Sequence, residues 1–190
     1  MSRYDLIHRA AVVAEMIKAL HQARSWCGET HIQKAIYLLQ SAAGVSLGYE
    51  FVLYKHGPYS FDLATDIASL RSANIAVFVI PIHGYGPSVQ LTDIASKVFE
   101  ELEGFVRPFL RKIKFIADWF GTNDVRYLER LATAHYVKLQ HPSEEAYGLA
   151  TKLRGLKPHI SEPDALAAVR HLNEKLGALK EERPTVRRVS

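Results

Sequence analysis

Cysteine occurs once in the 190 residues, at Cys27. That excludes an internal disulfide and a cage of thiolate metal ligands. Apolar runs are short, and none approaches the ~20 residues needed to span a bilayer. Met1-Ser2-Arg3-Tyr4-Asp5 is followed by an amphipathic stretch instead of an uninterrupted signal core. A reducing cytoplasm, with no membrane partner, is the simplest setting. There is no G-x-x-x-x-G-K-[ST] phosphate loop and no G-x-S-x-G elbow, and Gly84-Tyr85-Gly86 opens no dinucleotide-binding helix. The nine histidines lack the one-turn spacing of helical zinc ligands. Cys27 and His31 have that spacing but are split by Gly28 at a helix boundary, and His135 and His141 are six apart. No catalytic residue, metal site or cofactor is therefore expected, and a Cys27–His31 hydrolase is the weakest reading.

What is present is the composition of a globular protein: 48% hydrophobic and 23% charged residues. The net charge of +4 is unevenly placed. Residues 1–104 carry 8 Lys/Arg against 10 Asp/Glu, a net of −2, and residues 105–190 carry 16 against 10, a net of +6. The basic character belongs to the second half.

Leu6, Ile7, Ala10, Val13, Ile17 and Leu20 recur at helical spacing and predict a first helix. Thr30 is placed to cap a second helix, His31 to Ala43, with Ile32, Ala35, Ile36 and Leu39 as its apolar stripe and Gly44 beyond its end. Glu50 to Lys55 reads as a strand, and His56-Gly57-Pro58-Tyr59-Ser60 as a hard stop from which Ser60 caps a third helix, Phe61 to Ala73. Ala76–Ile82 and Ser88–Leu91 form a hairpin, after which Thr92 caps a helix through Leu102. The expected fold is mostly α with a small β-hairpin: a winged-helix-like module over residues 1–104, the hairpin being the wing. Residues 105–183 are expected as a helical region packed on it. Its helices run from Phe105 to Phe120 (with Pro108 in the first turn), from Asp124 to Gln140, from Pro142-Ser143 to Leu153, and onward from Ser161, where Asp164 completes a capping box. Residues 184–190 read as a disordered tail.

The densest local signal is Tyr54-Lys55-His56-Gly57-Pro58-Tyr59-Ser60. Such a turn either sets the angle between strand and helix while the tyrosines pack, or presents Lys55, His56 and Tyr59 to a partner beside a helix N-terminus. Tyr54, Lys55, His56, Gly57, Pro58 and Tyr59, with Tyr85 from the wing, are the candidate partner-binding residues. A winged helix suggests duplex DNA, read by the third helix. That helix, however, carries Asp62 and Asp66 against Arg71 alone, and the wing has neither Lys nor Arg, whereas phosphate contact requires several cations. Arg107, Arg111, Lys112 and Lys114 cluster instead in the second half, Arg107, Arg111 and Lys114 near one helical face. They are the candidate contacts to an acidic protein or nucleic acid.

His31-Ile32-Gln33-Lys34-Ala35-Ile36-Tyr37-Leu38-Leu39-Gln40, followed by Leu53 to Ser60, resembles bacterial YwgA-type proteins, and through them the Panacea (SocA-like) antitoxin domain. Lys34, Tyr37, Leu38, Tyr54, Gly57 and Pro58 fill the places of the K-x-x-Y-L helix, the following strand and the G-P turn. Leu131 to Tyr136 and Leu156 to Ser161 extend the likeness over residues 5–175. The resemblance implies a non-catalytic bacterial protein that grips a partner protein, as antitoxin or adaptor in a toxin–antitoxin or phage-defence system. A DNA-binding transcriptional regulator using the basic second half is the alternative.

Overall fold

The computed structural model describes residues 6–80 and 86–181. Helix α1 (Leu6–Gln22) buries Val12, Val13, Met16, Ile17 and Leu20. It ends on Arg24 at φ +61°, with the Ser25 N–H donating to the Leu20 carbonyl, so a non-glycine residue takes the left-handed position. Helix α2 (Glu29–Ser41) starts two residues earlier than predicted and ends two earlier. Gly28 stands at its cap without a side-chain hydrogen bond, and Thr30 lies inside the first turn. Gly44 has φ +67°, as its place after the helix predicts.

The apolar stripe of α2 faces the core as expected, but His31, Gln33, Lys34, Tyr37 and Leu38 are buried as well. A helix covered on all sides has neighbours on all sides. Helices α1 and α3 (Phe61–Ser72) pack against it, as do α6 (Leu110–Phe120) and α7 (Val125–Gln140) from the basic half.

The predicted strand-and-stop is a two-stranded ribbon. Strand β1 (Val52–Tyr54) pairs antiparallel with β2 (Gly57–Tyr59), in the register Val52↔Tyr59, Leu53↔Pro58, Tyr54↔Gly57. Pro58 is tolerated because an edge strand has no further ladder to donate to. In place of a third strand, α2 holds this segment with side chains. Gln33 Nε2 donates to the Ser60 carbonyl and Gln33 Oε1 accepts from the Ser60 N–H, both at 2.9 Å. Two turns on, Gln40 grips both backbone polar groups of Tyr49 in the same way. Ser60 then caps α3, its Oγ accepting from the Leu63 N–H at 3.3 Å.

Strands β3 (Ala76–Val79) and β4 (Ser88–Leu91) form the predicted hairpin, with a first strand that ends at Val79 and a register from Ala76↔Leu91 to Val79↔Ser88. With α1, α2 and α3 they complete a winged-helix-like module, the β1–β2 ribbon being an insertion between α2 and α3. The wing tip, with Tyr85, lies outside the described residues. Thr92 does not cap a helix: its Oγ1 donates to the carbonyls of Asn74 and Ile75 and closes the hairpin's base.

Residues 94–120 are more broken than their periodicity suggests, running as α4 (Ile94–Phe99), α5 (Glu103–Val106) and α6, with 3-10 turns between them. Asp124 caps α7 through the Tyr127 N–H at 2.8 Å. Helix α8 (Ala146–Leu156) begins after the Pro142-Ser143 turn instead of at it. Before α9 (Glu162–Glu181), Ser161 Oγ accepts from the Asp164 N–H, the predicted cap, but the capping box is not closed: the Asp164 carboxylate accepts from the Ser161 hydroxyl and not from the Ser161 backbone N–H. One hydrophobic cluster runs through the described residues from Ala11 to Leu179. The 184–190 tail lies outside them.

Candidate functional site

Gly57 fixes the ribbon. Its φ is +88°, and a Cβ built there would stand 2.9 Å from Thr133 Oγ1 on α7. Only glycine combines the left-handed conformation with so close an approach. Gly57 and Pro58 are both buried, so they position the turn and present nothing themselves. Beneath them lies Lys34, 1% exposed, its Nζ donating to the Pro58 carbonyl at 2.8 Å. Burial pushes the Lys34 ammonium down to about 8, opposed in part by Glu129 and Glu29 and assisted by Lys157.

The other side of the ribbon rests on a buried ion pair. Lys157 Nζ lies 3.0 Å from Glu129 Oε1 on α7, although Oε1 is off the axis of a hydrogen bond. Lys157 also donates to the carbonyls of Tyr54 (3.2 Å) and Lys55, tying the tip of the ribbon to the chain after α8. His56 Nδ1 and His159 Nε2 stand 3.6 and 3.7 Å from the same carboxylate.

Outward, the ribbon and the start of α3 carry an aromatic triangle. The rings of Tyr54, Tyr59 and Phe61 lie 5.2–5.9 Å apart in tilted and edge contacts. Tyr54 is 56% and Phe61 61% exposed, and Val52, across from Tyr59, is exposed too. Tyr59, half-buried, is anchored by its hydroxyl, which donates to Glu29 Oε1 at 3.1 Å. Desolvation, then the Glu29 charge, raises the Tyr59 phenol above its usual range. A pocket of about 260 Å³ opens beside the triangle, lined by Lys34, Glu29, Thr30, Tyr54, His56 and Tyr59 among others.

The fold thus gathers Tyr54, Lys55, His56 and Tyr59 on one surface. The basic candidates lie elsewhere. Arg107 and Arg111 are exposed and form no ion pair among the described residues, Lys112 is half-buried, and Lys114 is held by Asp118 at 2.7 Å. Of the two aspartates on α3, Asp66 is buried against Arg9 (3.2 Å) and accepts from Tyr49 Oη at 2.7 Å, so it faces the core and repels nothing. Asp62 alone stays exposed, and the Arg71 guanidinium stacks 3.5 Å over the Phe78 ring.

Cys27 and His31 form no couple. Burial pushes the Cys27 thiol up to about 12, its Sγ points to the Ile17 carbonyl, and its φ is +52°. His31 is buried, and among the described residues neither ring nitrogen makes a well-formed hydrogen bond. Burial lowers its basicity, opposed by the nearby Asn123 backbone and the Asp124 charge. Among the described residues, no three His, Cys, Asp or Glu side chains converge as a metal would require, and no helix is long and apolar enough to cross a membrane.

The sequence reading did not single out Gln33, Glu129, Thr133, Lys157 or His159 as site residues. A signal existed for Gln33, Thr133, Lys157 and His159, which belong to the segments 31–40, 131–136 and 156–161 that carry the family resemblance. Glu129 carries no local mark, because only the packing of α7 brings it under Gly57.

No protein-family model matches this chain, and no curated protein is significantly similar to it.

Proposed function

We propose that the chain is a non-catalytic protein-binding module, an antitoxin or adaptor of a bacterial toxin–antitoxin or phage-defence system, working in the cytoplasm and gripping its partner through the β1–β2 ribbon. The observation that carries this reading is the exposed triangle of Tyr54, Tyr59 and Phe61. Aromatic groups left in water on a rigid support are the usual anchors of protein interfaces. The support is rigid because Gln33, Lys34 and Lys157 clamp the ribbon from behind. Rings already held in place lose little further freedom on binding.

Affinity capture from the native host tests it, using the wild-type chain and a Tyr54→Ala/Phe61→Ala variant. The expected result is one stoichiometric protein partner, its affinity weakened by roughly 2 kcal/mol or more in the variant. Recovery of no stoichiometric partner, or equal retention by the variant, refutes the reading.

A second reading, duplex binding by the basic half, is supported by Arg107 and Arg111, exposed and without an ion pair among the described residues. Affinity measured against salt decides it. Contact with several phosphates gives a log–log slope of about −0.9 for each, and a flat slope removes the idea.

A further inference from the structure

Lys34 is a buried cation with an incomplete set of partners. An ammonium offers three N–H donors. Among the described residues Lys34 gives one, to the Pro58 carbonyl, and no carboxylate reaches it at ion-pair distance. Glu129 is paired with Lys157 and offsets the Lys34 charge only from beyond ion-pair distance. Glu29 accepts from Tyr59 and acts on Lys34 only from farther away. A second orphan lies close by: Thr133 Oγ1 is buried without a hydrogen-bond partner beside Gly57.

Buried charges are normally paired, because an unpaired one forfeits its hydration with nothing in return. Lys34 lines the 260 Å³ pocket next to the aromatic triangle, so a charge that Glu129 and Glu29 offset only in part can be met from outside. The lining holds two lysines, Lys34 and Lys55, against one carboxylate, Glu29, a net of one positive charge. That matches a monoanion. It does not match a phosphate dianion, which draws on several donors or arginines.

We propose that this pocket receives a single carboxylate of the partner polypeptide, paired with Lys34 Nζ while the partner's apolar surface covers Tyr54 and Phe61. The inference rests on the protein-binding reading above and adds the chemistry of the bound group. The carboxylate comes either from an acidic side chain or from a chain terminus. The groups facing Lys34 in the folded chain are Glu129 on α7, Lys157 after α8 and Glu29 at the start of α2. None of them supplies the contact that the carboxylate would.

The test is NMR of the Lys34 side chain in the full-length protein. Three probes are added in turn up to tens of millimolar: N-acetylglutamate α-amide for a side chain, N-acetylalanine for a chain end, and inorganic phosphate. The expected result is a saturable shift with one or both carboxylates and a rise of the Lys34 midpoint by about one pH unit. The stronger probe identifies the source. No saturable response to either carboxylate, a response to phosphate alone, or a shift of the neighbouring Gly57 and Tyr59 amides that is undiminished in Lys34→Met overturns the proposal. Should Lys34→Met fail to fold, the wild-type midpoint still decides. Phe61→Ala, which leaves the pocket lining intact, separates the two ideas. Probe binding without loss of partner in this variant counts against aromatic docking alone. Partner loss in this variant, with no probe response in the wild type, counts against the carboxylate pocket alone.

Discussion

Gly57 and Lys34 meet at one point under the ribbon, where the Gly57 Cβ position is 3.5 Å from Lys34 Cε. Gly57→Ala forces a methyl group into the left-handed region and against Thr133 Oγ1. The two costs together amount to about 2–4 kcal/mol, to be read as a lower urea midpoint. Adding Thr133→Ala relieves the contact but not the backbone strain, so recovery is partial. An unchanged midpoint in Gly57→Ala contradicts this picture. For Lys34 the sign follows from its basicity. Its folded midpoint of about 8 lies below the ordinary 10.5, so between these values the unfolded chain binds more protons and stability rises with pH. Below about 8 the burial cost is fully present. Between pH 8 and 10.5 the wild type therefore gains up to about 3 kcal/mol relative to Lys34→Met. Glu129, Glu29 and Lys157 face this position in both proteins and largely cancel in the difference. A pH-independent difference in chemical denaturation contradicts the assignment.

Among the elements, α2 does what a third strand would do. Its two glutamines, one at each end of segment 49–60, satisfy backbone groups that no ladder reaches. Gln33→Leu keeps the volume near constant but leaves the Ser60 N–H buried without its partner and the Ser60 carbonyl with the Ala64 N–H alone. It is expected to cost about 1–3 kcal/mol, with faster amide exchange at Ser60 and Leu63 as the local signature. Unaltered exchange there means the clamp is dispensable. This device was hard to read from sequence. Ile32, Ala35, Ile36 and Leu39 announce α2 by their spacing, and Ser60 announces its cap by type and position. The destinations of Gln33 and Lys34 depend on a ribbon whose second strand is Gly57-Pro58-Tyr59. These residues signal an interruption because proline cannot extend a ladder, yet at an edge they do pair. Asp66 misled for a related reason, since its partner Arg9 lies 57 residues away and no local spacing brings that pair together.

On the scale of the whole molecule, the first half supplies the aromatic surface and the second half supplies its foundation. Glu129 and Thr133 on α7 and Lys157 after α8 lie under the ribbon. The charge asymmetry was legible from composition, but where the cations end up was not. Lys157 is spent inside on Glu129, Lys114 is paired along its own helix, and Arg107 and Arg111 remain exposed. Two surfaces thus compete for the role of contact face, the ribbon with its aromatic triangle and the α6 face with its arginines. Amide hydrogen exchange of the free chain and of the complex isolated from the host separates them most directly. Protection on binding concentrated in residues 52–61 is the predicted result. Protection confined to residues 107–114, with the ribbon exchanging as in the free chain, would contradict it.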